Sequence, residues 1–117
     1  MDYELDLKFN QLVKFLETEK DFGPDIDLQT ILLLIGVDIL GQGHQKFSKN
    51  EKMDLMHIAI CTILEPYGYY SFEGRDKDNW PHFKLVKQLP NLEHREQQHL
   101  LKQATLEFFK KEEIFSV

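Results

Sequence analysis

His57, Cys61 and Glu65 stand at intervals of four residues, so on a helix an imidazole, a thiolate and a carboxylate line up along one face, and all three are zinc donors. From His57 to Glu65 the helix would rise about 12 Å at ~1.5 Å per residue, so an ion about 2 Å from each donor can take only a neighbouring pair. A further ligand would have to come from the segment that follows, from Glu73 or His82. The same His57 beside Cys61 could act as general base to an activated thiol. Cys61 lies in an apolar run near the C-terminal end of its helix, however, where the helix dipole disfavours a thiolate. The plainer reading is a hydrogen-bonded, half-buried histidine and a cysteine that packs as a small hydrophobe.

Polar groups gather again between residues 65 and 82, interleaved with Tyr67, Tyr69, Tyr70 and Trp80. If several face one groove, Glu65, Glu73, Asp76, Asp78 and His82 are the candidates for holding a divalent ion or for general acid–base work, with the aromatic rings excluding water. In a strand Glu73 shares a face with Ser71 and Tyr69, and Phe72 with Tyr70, so about half of these groups must point away from any single site. The bland alternative is a solvated tip with Asp76, Asp78 and Asn79 as turn formers. Asp76-Lys77-Asp78 opens like a calcium loop, but Trp80 and Pro81 stand where an oxygen ligand and a glycine are needed. Lys46, Lys49 and Lys52 lie near a helix start, where free N–H groups also favour an anion, and are the candidate patch for a phosphate or an acidic partner. Glu51 and Asp54 dilute it. Gly41-Gln42-Gly43-His44 follows a helix rather than a strand and reads as helix termination, not as a nucleotide-binding loop.

The elements that must position these groups follow from periodicity and punctuation. Leu5, Phe9, Leu12, Val13 and Leu16 form one stripe of a first helix from about Tyr3 to Lys20, stopped by Phe22-Gly23-Pro24-Asp25. Asp25 or Asp27 caps a second helix that runs to about Leu40 and is apolar on every side through Ile31-Leu32-Leu33-Leu34-Ile35. Ser48-Lys49-Asn50-Glu51 spells a capping box for a third helix, again poor in polar surface, from Lys49 to about Glu65, where Pro66 stops it. Aromatic and β-branched residues on both sides of Gly74–Asn79 predict a hairpin. A last helix from about Leu92 to Glu113 carries Leu101, Ala104 and Phe108 on its apolar face. The fold class expected is α+β, mainly α: about four helices with a β-hairpin between the third and fourth, in a single domain over residues 1–117.

That order matches a winged helix-turn-helix, but the third helix lacks a polar face for reading base edges, and the connection from Gly41 to Ser48 exceeds the usual turn of about three or four residues. The chain has 117 residues and a net charge of -6, which repels a polyanion and makes nucleic acid an improbable partner. One cysteine leaves no internal disulfide, the acidic N-terminus lacks a signal-peptide pattern, and the apolar runs are shorter than a bilayer requires, so a cytoplasmic protein without membrane contact is expected. Two helices apolar all round need cover, which a homodimer interface would supply. No motif names a reaction or a cofactor. The functional expectation is a protein-interaction or regulatory module without catalysis of its own, homodimeric, with an unidentified protein partner. The alternative is a small metal-binding protein or enzyme using the groove between the third helix and the hairpin.

Overall fold

Caps and apolar periodicity set the helices where the spacing predicts them. The computed structural model describes residues 3–18, 26–43 and 45–112. In chain order these form α1 (Tyr3–Thr18), α2 (Leu28–Leu40), α3 (Lys49–Leu64), a single 3-10 turn (Glu65–Tyr67), β1 (Tyr70–Arg75), β2 (Pro81–Leu85) and α4 (His94–Lys111). This is the mainly helical α+β arrangement expected, with the antiparallel hairpin between α3 and α4. No helix of the described residues is long and apolar enough to cross a membrane. The turn at Phe22-Gly23-Pro24-Asp25, the helix ends at Lys20 and Glu113, and His44 lie outside the described residues.

The chain divides into two compact units, one made of residues up to Leu28 together with those from Asn91 onward, the other of Gln29–Pro90. In the first, α1 packs against α4, with Leu5, Phe9, Leu12 and Leu16 buried as their spacing predicts and Val13 half-buried. On α4 the buried residues are Ala104, Thr105 and Phe109, while Leu101 and Phe108 are half-buried. The buried face is thus turned from the expected Leu101–Ala104–Phe108 stripe toward a threonine. Thr105 tolerates full burial because its hydroxyl donates to the Leu101 carbonyl at 2.7 Å, so no polar group is left unpaired. Lys102 lies over the Phe9 ring, 5.2 Å from its centroid, and reaches Asp6 at 3.7 Å, covering apolar surface with its stem.

The second unit is built on α2 and α3. The capping box closes α3 as expected: Ser48 Oγ accepts from the Glu51 N–H at 3.2 Å, and the Ser48 N–H donates to Glu51 Oε1 at 2.8 Å. Leu40, Leu55 and Ile58 form a buried cluster against which Leu33, Val37, Ile39, Phe47, Trp80 and Phe83 pack, so both helices and the hairpin share it. Of the apolar run of α2, Ile31, Leu32, Ile35 and Leu40 are buried and Leu33, Leu34, Val37 and Ile39 half-buried. The approach of α2 to α3 is set by Gly36, where a Cβ would run into the carbonyl oxygen of Leu55 and lie 2.7 Å from its carbonyl carbon.

The hairpin is longer at its tip than expected. Gly74 and Arg75 belong to β1, and the register slips between Phe72 and Gly74 in a β-bulge where Gly74 takes a φ of 117°. A glycine at that φ lets the ladder absorb one extra residue and continue, instead of opening into a loop. Gly36→Ala forces α2 off the backbone of α3 and is expected to cost about 1–3 kcal/mol. Urea unfolding with an unchanged slope measures it, and a loss below about 0.5 kcal/mol would show that the contact is not tight.

Candidate functional site

The hairpin tip is the densest polar constellation. After β1, the Asn79 N–H donates to the Asp76 carbonyl at 2.9 Å and the Asp76 N–H to the Trp80 carbonyl at 3.0 Å, with Asn79 at a φ of 70°. This is a three-residue hairpin connection whose last residue is left-handed, a position that asparagine accepts more readily than most residues. Asp76 organises it. Its Oδ1 accepts from the backbone N–H of Asp78 (2.9 Å) and of Trp80 (3.0 Å), while its Oδ2 lies 2.9 Å from His82 Nε2. The His82 imidazole first, and then the Trp80 N–H, hold the Asp76 carboxyl below the usual carboxylate range.

Arg75 ties this tip to α2. Its guanidinium donates to the carbonyls of Ile39 (2.6 Å), Leu40 (3.3 Å) and Asn79 (2.9 Å). Ile39 and Leu40 end α2, so their carbonyls lack helical partners, and a cation there also complements the helix dipole. Gln42 adds a bond from its side-chain amide to the Asp78 carbonyl at 3.1 Å. The sequence carries no local sign of this role. The rule that cations favour helix C-termini is a local one, whereas Arg75 reaches across 35 and 36 positions to Leu40 and Ile39.

Among the candidate ligands the structure joins Asp76 to His82 and leaves the others apart. Glu65 Oε2 accepts the Phe72 N–H at 3.0 Å. Glu73 is exposed at the bulge, and Asp78 is exposed in the turn. Among the described residues no group of three or more His, Cys, Asp and Glu side chains is placed to hold a metal ion, and no buried side-chain nitrogen or oxygen lacks a partner. His57 is exposed, its Nε2 3.5 Å from Cys61 Sγ and its ring edge-on to Tyr70. Cys61 is fully buried, and burial pushes its thiol up to about 11, so it is protonated at neutral pH and packs as a hydrophobe. Lys46, Lys49 and Lys52 are all exposed around the start of α3, where the Glu51 N–H is already taken by Ser48.

No protein-family model matches the chain, and neither a curated protein nor a solved structure does.

Because the Asp76 carboxyl titrates lower in the folded chain than in the unfolded one, the stabilisation it supplies is complete above the unfolded value of about 3.9 and is lost as pH falls through the folded one. Thermal melts should therefore show wild type more stable than Asp76→Asn near neutral pH, with the gap closing on acidification below about pH 4. A gap that stays constant with pH would remove the carboxylate from the account. Iodoacetamide at about pH 8 should leave Cys61 unmodified in the native chain and alkylate it in concentrated guanidinium. Rapid native labelling would contradict its burial.

Proposed function

We propose that this chain is a protein-interaction or regulatory module that acts as a homodimer and performs no catalysis of its own. The observation that carries the reading is a division on the hairpin between engaged polar groups and presented apolar ones. Glu65, Arg75, Asp76 and His82 are occupied in holding backbone and one another, which leaves little free chemistry for a substrate. Phe72, Leu85 and Val86, by contrast, are 48, 47 and 60% exposed. Large apolar side chains kept at the surface of one small element mark a contact site rather than a reaction site. The homodimer is supported by the apolar surface that Leu33, Leu34, Val37 and Ile39 of α2 still leave half-exposed, although Leu33, Val37 and Ile39 also pack on the Leu40–Leu55–Ile58 cluster.

Native mass spectrometry of freshly purified protein reads subunit number and bound ions together. The expected mass is twice that of the 13.9 kDa chain with nothing added. A bare monomer overturns the homodimer. Added mass equal to a metal ion overturns the module in favour of a metal protein, and Glu65→Ala and His82→Ala would then identify the ligands by losing it.

A further inference from the structure

The two outer edges of the hairpin are finished differently. The Val86 N–H donates to the Tyr69 carbonyl at 2.9 Å, which sets the alternation of the ladder: Ser71 and Lys84 turn their backbone groups inward, Tyr70, Phe72, Phe83 and Leu85 outward. On β1 the outward edge is partly closed, because Glu65 takes the Phe72 N–H at 3.0 Å and the bulge interrupts the strand just beyond, although among the described residues no hydrogen bond reaches the outward groups of Tyr70. On β2 it is open. Among the described residues no hydrogen bond reaches the outward N–H and C=O groups of Phe83 and Leu85. Pro81, opposite Arg75, falls at an outward position where its missing N–H costs the ladder nothing.

The side chains along β2 say what the edge accepts. His82, Lys84 and Lys87 are exposed, and neither β2 nor the two residues after it carry an acidic group. His82 is paired with Asp76, and Lys87 lies 4.6 Å from the centre of the Tyr69 ring, whereas Lys84 has no carboxylate within ion-pair distance among the described residues. A second β2 pairing antiparallel about Lys84 would set lysine against lysine, and one pairing about Phe83 would set Lys84 against His82. A lysine on an edge strand thus works against self-pairing and admits a strand of opposite charge. Leu85 and Val86, exposed on opposite faces of the strand, offer apolar contact to either side of an incoming chain.

We infer that the outer edge of β2 is a docking edge for an extended acidic segment of a partner protein, which adds as a strand through the backbone groups of Phe83 and Leu85 and sets its carboxylates near Lys84. The inference rests on the reading of the chain as an interaction module and names the partner's chemistry. Strand addition draws affinity from main-chain hydrogen bonds and selectivity from alternate side chains, so an alternating Glu-Val peptide is a fair probe and an alternating Lys-Val peptide its control.

The test is amide NMR of the isotope-labelled full chain titrated with each peptide. The Glu-Val peptide is expected to slow exchange at the Phe83 and Leu85 amides and leave Ser71 and Lys84, already bonded within the ladder, unchanged. Binding should weaken as salt rises and about tenfold in Lys84→Glu, which should then prefer the Lys-Val peptide. Lys84 is exposed and its side chain makes no hydrogen bond or ion pair among the described residues, so an unchanged amide spectrum elsewhere will confirm that the variant is folded. Equal binding of both peptides, protection on β1 instead of β2, or no binding of either at millimolar concentration overturns the proposal. A chain that is dimeric by mass but takes no peptide would lose the β2 edge alone. A monomer that takes none would lose the module reading as well.

Discussion

The second unit depends on where one guanidinium goes. A two-stranded hairpin is marginal in water by itself, and the last carbonyls of a helix are left without partners wherever the chain turns away. Arg75 resolves both deficits at once, because its planar fork spans the Ile39 and Leu40 carbonyls on α2 while still reaching Asn79 across the turn. With the tip held there, Trp80 and Phe83 come down on the Leu40–Leu55–Ile58 cluster. The bulge before Arg75 belongs to the same arrangement. It inserts one residue into β1, and the change of strand direction that a bulge produces aims the residue that follows it.

Gly36 supplies the complementary constraint from inside the unit. Arg75 determines where α2 ends relative to the hairpin, and Gly36 determines how near α2 comes to α3. The two are linked through Leu40 and Leu55, which sit in one buried cluster beside each contact. A packed cluster responds to displacement by losing contacts, so a shift at either point is felt by Trp80 and Phe83. Bulky apolar residues make up most of α2, yet the place that sets the helix separation is the one without a side chain.

What was legible in the sequence was local. Ser48 and Glu51 are three positions apart and announce the start of α3; Pro66 announces its end; the alternation around Tyr70, Phe72, Phe83 and Leu85 gives the hairpin its faces. What was not legible joins residues far apart in the chain. Nothing adjacent to Arg75 marks it as the cap of α2, and nothing adjacent to Gly36 tells a close helix approach from a weak helix position. The α4 face was misplaced for a related reason. Threonine counts as polar in a periodicity argument, but Thr105 bonds to the carbonyl of the preceding turn and enters the core at no cost in unpaired groups. The candidate site shows the same limit, since residue types put Asp76, His82 and Glu65 together while only geometry separates the pair that meets from the carboxylate that takes the Phe72 N–H.

That separation bears on function. Asp76 has both carboxylate oxygens occupied, whereas Glu65 has one committed to Phe72. For Asp76 to take up chemistry, the turn would have to give up a hydrogen bond it relies on, and against a lowered proton affinity. The backbone of β2 faces no such competition. Its outward groups at Phe83 and Leu85 have no hydrogen bond to lose among the described residues, so a strand added there would cost the hairpin none of the bonds that hold Asp76 and Glu65 in place.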